Sequence, residues 1–166
     1  MFLSAMKRGG MTSPQLLNTA LHRCFASLSA SDLSAIKRED VISATDSKWI
    51  ASYTQAVVAS GDQSGAHSDA LNEYFRKNFR KLSREQALDV VNSLAVDIKE
   101  PAACLDSRFW VWEALEEALR ADVDELSAED LVNTYRVFAA NFKGSTDFLE
   151  VIESRFYRSG DPFAKE

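Results

Sequence analysis

A short phrase that occurs three times constrains this chain more than any other feature. It reads Leu16-Leu17-Asn18-Thr19, then Val90-Val91-Asn92-Ser93, then Leu131-Val132-Asn133-Thr134. Each copy sets two aliphatic residues, an asparagine and a small hydroxyl residue inside an amphipathic helical pattern. Asn92 follows Asn18 by 74 positions and Asn133 follows Asn92 by 41, and 74 is twice 37. All three copies therefore fit a period of roughly 37 to 41 residues, the length of a helical hairpin that buries its apolar face by stacking on its neighbours. Such arrays are scaffolds and binding surfaces more often than catalysts.

The rest of the pattern is helical. Alternating β-branched and aromatic runs are missing, as are Asn-Gly and Asp-Gly hairpin turns. Ser31 to Ala44 gives one short amphipathic stretch. Asp46 or Ser47 caps the next helix, which runs through Trp49, Ile50, Tyr53, Val57 and Val58. The stretch from Ser60 to Gly65 is a loop. A further helix carries Leu71, Phe75 and Phe79 at four-residue spacing. Ser83 with Gln86 forms a capping box ahead of Ala87, Leu88, Val91 and Leu94, and Pro101 stops that helix. Asp106 or Ser107 caps a helix with Phe109, Trp110, Trp112, Leu115 and Leu119. Ser127 caps one with Leu131, Tyr135, Phe138 and Phe142, which Lys143-Gly144 ends; Ser145 opens the last. The expected fold is all-α: stacked helical hairpins at 47–81, 83–121 and 127–159, with a fourth at 13–44, forming a short α-solenoid or a helical bundle. Residues 28–160 make the helical-repeat domain and 161–166 a polar tail.

Charge is unevenly placed. Residues 1–27 hold Lys7, Arg8 and Arg23 and no acid, so the remainder sets 16 Lys+Arg against all 25 Asp+Glu, a formal charge of −9. That field repels a polyanion such as RNA. The N-terminal segment is basic, rich in Ser and Thr, and amphipathic from Pro14 to Phe25, the profile of a mitochondrial transit peptide. Arg23-Cys24-Phe25-Ala26-Ser27 resembles a matrix-protease cleavage site. The competing reading makes 1–27 the first repeat helix, since it holds the first Asn phrase. The expected address is mitochondrial, in the matrix or peripheral to the inner membrane. No apolar run nears the ~20 residues that span a bilayer, so no transmembrane segment is expected. Cys24 and Cys104 fit buried thiols in a reducing compartment.

The segment from Asp130 to Ala140, followed by Gly144 and by Phe148 to Phe156, resembles the octotricopeptide and heptatricopeptide helical-hairpin repeats of organellar proteins; 83–121 resembles them more weakly. The resemblance covers about half of the chain. It implies binding of organellar RNA, or service as a subunit of a mitochondrial ribosome or respiratory assembly.

Catalytic patterns are scarce. His22 and His67 have no acidic or Cys partner at ligand spacing, and no zinc, phosphate-loop or nucleophile-elbow motif occurs. No enzyme activity, cofactor or metal site is expected. Asp122, Asp124 and Glu125 read as a solvated turn. Two surface features remain. Arg76, Lys77, Arg80, Lys81 and Arg84 form a basic stripe beside Phe75 and Phe79, with the first four on one side of a helix. It suits an acidic protein partner, RNA, or an anionic lipid head group, or carboxylates of the chain itself. In Phe109-Trp110-Val111-Trp112 the ~100° step per residue prevents all rings from facing one core, and Trp110 or Trp112 is the expected partner contact. The expectation is a non-catalytic structural or assembly subunit of a mitochondrial complex (a respiratory-chain or ATP-synthase accessory subunit, or a mitoribosomal subunit) that binds protein subunits. The alternative is an organellar RNA-binding factor.

Overall fold

The computed structural model describes residues 28–96, 98 and 102–158. Among them lie α1 (Ala30–Leu33), α2 (Arg38–Ile42), α3 (Ser47–Ser60), α4 (Ala66–Lys77), α5 (Arg84–Ala95), α6 (Phe109–Arg120), α7 (Ala128–Ala140) and α8 (Thr146–Arg158). Short 3-10 turns at Ala103–Leu105 and Val123–Glu125 join the later helices, and no strand occurs among the described residues. The protein is all-α. The transit-peptide reading, the first Asn phrase and the polar tail lie outside the described residues.

Alternate helices lie against one another. The first helices pack in series, α1 on α3, α3 on α5 and α5 on α7, while α2 packs on α4 and α4 on α6. Hairpin partners meet as well, α3 with α4 and α7 with α8. Two layers result, with the core between them. Ile50, Tyr53, Val57, Leu71 and Phe75 fill its first half; Leu105, Leu115, Leu119, Phe138, Phe148 and Ile152 fill the second. These positions recur every three or four residues, so each helix buries one stripe.

Local chemistry sets the helix ends. The side chain of Asp46 accepts from the amides of Lys48 and Trp49, that of Ser83 from Gln86 N, and that of Ser127 from Asp130 N. The amphipathic stretch from Ser31 to Ala44 forms two short helices. An aspartate turns each first turn back on its entry: Asp32 Oδ2 accepts from Ser29 N at 2.7 Å and Asp40 Oδ2 from Lys37 N at 3.1 Å. The cap of α6 also differs from expectation. Neither Asp106 nor Ser107 caps it; the amide of Trp110 donates to Asn72 Oδ1 of α4 at 2.9 Å. An α4 side chain thus meets one of the first amides of α6, which lack a partner within their own helix.

Polar side chains stitch the first layer. Ser47 Oγ donates to Asp89 Oδ2 at 2.7 Å and Ser93 Oγ to the Ala51 carbonyl at 2.7 Å, both between α3 and α5. Between α5 and α7, Asn92 Nδ2 donates to Asp130 Oδ1 at 3.2 Å and Asn133 Nδ2 to Asn92 Oδ1 at 2.9 Å. The second and third Asn phrases therefore touch. They share a place in the stack and not a distance from the helix start, since Asn92 lies nine residues after its cap Ser83 and Asn133 six after Ser127.

Candidate functional site

The basic stripe does not run along one helix. α4 stops at Lys77, because Asn78 Nδ2 donates back to the Tyr74 carbonyl at 2.8 Å and Arg80 takes a left-handed backbone with φ +63°. Arg76 is tied to Glu73 on its own helix, and Lys77 reaches the Ile42 carbonyl at 3.5 Å. Arg80 Nε lies 3.4 Å from Glu117 Oε1, with its guanidinium over the Phe79 ring at 5.3 Å. Lys81 is exposed. Arg84 pairs with Glu125 across the stack and with neighbouring Glu85. The hydrogen bond from Arg76 holds Glu73 below the usual carboxylate range.

Arg80 and Arg84 open onto a groove of about 520 Å³ that also takes in Glu85, Glu117, Asp122 and Glu125. Four carboxylates face two guanidiniums there, so the groove is net negative. The acidic turn read as solvated is a tie point as well, since Arg155 reaches Asp124 Oδ1 at 3.3 Å and the Asp124 carbonyl at 3.1 Å.

The two tryptophans part company. Trp112 is 5% exposed, donates from Nε1 to the Leu105 carbonyl at 2.9 Å and meets Phe138 edge-on at 5.6 Å. It is a core residue, with an edge on the wall of the groove described below. Its indole proton needs a buried acceptor, and the 3-10 turn at Leu105 supplies one. Trp110 is half-buried between the edges of Phe79, at 5.4 Å, and Phe109, at 5.2 Å. The ring that faces outward is Phe109, 58% exposed.

Phe142 departs from its sequence expectation. Expected on the apolar stripe of α7, it lies beyond the helix end at Ala140, with φ +55° and 88% exposure. Its amide donates to the Ala139 carbonyl at 3.1 Å and that of Lys143 to the Phe138 carbonyl at 2.8 Å. This is the Schellman turn, whose left-handed position usually holds glycine. Phe109 and Phe142 line one groove of about 440 Å³, with Trp112 and Glu116 also on its wall. Glu116, 7% exposed, accepts from Ser145 N at 3.0 Å, from the Ser145 hydroxyl and from Arg120, joining α6 to the start of α8. Phe109 was visible as part of an aromatic run; nothing in the sequence distinguished Phe142 from a helix-borne core residue.

One cluster of titratable groups lies elsewhere. Tyr53 Oη and His67 Nδ1 are 2.6 Å apart, and burial, with the charge of Asp62 adding to it, raises the phenol well above its usual range. Burial works to raise the Asp62 carboxyl too. Hydrogen bonds from the Ser68 hydroxyl and amide, at 2.6 and 2.7 Å, and from the His67 backbone outweigh it and leave Asp62 lowered. These groups close the 60–68 loop onto α3 and α4. Among the described residues, no group of three His, Cys, Asp or Glu is placed to hold a metal ion, and no helix is long and apolar enough to cross a membrane.

Fold and surface together define an all-α protein of alternately packed helices with an exposed aromatic groove. No protein-family model, curated protein or solved structure matches the chain.

Proposed function

We propose that this protein is a non-catalytic structural or assembly subunit of a mitochondrial multiprotein complex, docking protein partners through the surface of a short stack of helical hairpins. The observation that carries this reading is the exposed pair Phe109 and Phe142 around one groove. Exposed aromatic rings gathered at a pocket are the usual anchors of a protein interface. The polar groups nearby support it from the other side: Glu116, Arg120, Asp106 and Lys143 are engaged in holding elements together. The mitochondrial address rests on the acid-free, basic character of residues 1–27 and on the resemblance to organellar hairpin repeats. A respiratory-chain or ATP-synthase accessory subunit and a mitoribosomal subunit both fit this reading.

RNA binding through the Arg76–Arg84 stripe is the weaker alternative. Arg76, Arg80 and Arg84 each lie against a glutamate of the chain itself. Release of counterions from a phosphate backbone needs cations free to meet it.

The test is affinity capture of the tagged full chain from mitochondria, with and without ribonuclease, read by mass spectrometry. Recovery of a defined set of complex subunits that survives ribonuclease is expected. Loss of all partners on ribonuclease treatment would move the assignment to the RNA-binding factor.

A further inference from the structure

We propose that the groove between Phe109 and Phe142 binds a basic amphipathic segment of a partner protein, which inserts an apolar side chain between the two rings. The inference rests on the subunit reading above and names its surface and the chemistry of its partner.

The backbone supplies the first argument. A bulky residue at positive φ is an outlier, and such strained positions cluster at binding and active sites. Phe142 occupies the turn position that favours glycine, and its ring gains no burial within the chain. Two residues later the chain does use glycine. Gly144 has φ +89°, and a Cβ there would stand 3.1 Å from the Phe138 ring. The α7–α8 turn thus has a glycine where space demands one and an exposed phenylalanine where backbone geometry disfavours it.

Charge selects the occupant. The groove wall carries Asp106, Glu113 and Glu116 against Arg120 and Lys143. Both cations are already held: Lys143 Nζ lies 2.7 Å from the Asp106 carbonyl and 3.1 Å from Asp106 Oδ1, and Arg120 is bound to Glu116 and Ser145. Glu113 has no ion-pair partner among the described residues. It sits one turn after Phe109, so an exposed ring and an uncompensated carboxylate are neighbours on one helix face. Beyond residue 27 the chain carries a formal charge of −9, which draws a cationic segment toward this surface. The complement is a helix with an apolar residue and a lysine or arginine about one turn apart.

The test uses the full chain and two fluorescein-labelled amphipathic peptides with identical leucine spacing, one with lysine and one with glutamate on the polar face. Fluorescence anisotropy at physiological salt reads binding. The Leu/Lys peptide is expected to bind and the Leu/Glu peptide is not. Phe142→Gly, Phe109→Ser and Glu113→Lys are each expected to weaken binding about tenfold, the scale of one interface anchor. Phe142→Gly should melt no lower than the parent, so its loss of binding cannot be assigned to misfolding. Equal binding by Phe142→Gly, or equal binding of the Leu/Glu peptide, would overturn the proposal. A concentration-dependent dimer, seen by light scattering and abolished by Phe142→Gly, would overturn it in favour of a second copy. Affinity capture from mitochondria separates the two levels. If Phe142→Gly recovers the same partners as the parent, the groove fails and the subunit reading stands. If the parent recovers none, the subunit reading fails.

Discussion

Asn133 donates from Nδ2 to Oδ1 of Asn92 at 2.9 Å, joining two copies of the same four-residue phrase across the α5–α7 contact. Asn92 in turn donates to Asp130 at 3.2 Å, so its amide acts as both donor and acceptor at one seam. Asn92→Ala leaves Asn133 and Asp130 without these partners, and loss of about 1–2 kcal/mol is expected at this half-buried site. Urea denaturation checks it. A double-mutant cycle with Asn133→Ala should give a coupling energy of about 0.5–1.5 kcal/mol; strict additivity would mean that the bond contributes nothing.

Glu116 predicts a larger effect. Its carboxylate serves the Ser145 amide, the Ser145 hydroxyl and Arg120 from a position 7% exposed. Glu116→Ala removes the acceptor for a backbone amide at the α8 entry and opens a gap beside it. The expected cost is about 2–3 kcal/mol, with Glu116→Gln between the two. Thermal melts of the three proteins order them; an alanine variant as stable as the parent would refute the tie.

Tyr53 is fully buried, and its hydroxyl lies against His67. His67→Ala strands that hydroxyl, at a cost of about 1–3 kcal/mol. Tyr53→Phe removes the group that needs a partner. The double variant Tyr53→Phe, His67→Ala is therefore expected to be more stable than His67→Ala alone. Chemical denaturation would show the reverse order if His67 acted only through packing.

The lowered Asp62 carboxyl gives a pH dependence of definite sign. A carboxylate whose folded pKa lies below its unfolded value stabilises the fold above the unfolded value, near 3.9 for aspartate, and loses that contribution as pH falls through the folded value. Asp62→Asn lacks the charge but tolerates the same φ of +36°. At neutral pH the variant should unfold at lower urea than the parent, and the gap should close as the pH drops below about 4. Parallel pH curves would show that Ser68 and His67 do not favour the charged form.

Much of the helical layout was legible. Ser83 and Ser127 are N-caps because a small hydroxyl ahead of an amphipathic run has one good use, and they cap α5 and α7 as expected. What escaped depended on partners far along the chain. Asn72 caps α6 from 38 residues away, so no local pattern could replace Asp106 or Ser107 as the expectation. The basic stripe breaks because Asn78 bonds back to Tyr74, a choice helical periodicity does not register. Trp112 turns inward because a 3-10 turn places the Leu105 carbonyl beneath its indole. Phe142 kept the spacing of the apolar stripe but fell two residues past the helix end, and there a period of 3.6 carries no information.

The contact between Asn72 and the Trp110 amide also bears on how the chain acquires its shape. Helix initiation is the costly step, because several residues are ordered for one hydrogen bond. A side chain of α4 on an amide in the first turn of α6 offsets part of that cost once α4 is formed. The bond couples the stability of α6 to that of α4, one of the neighbour terms that hold packed hairpins together.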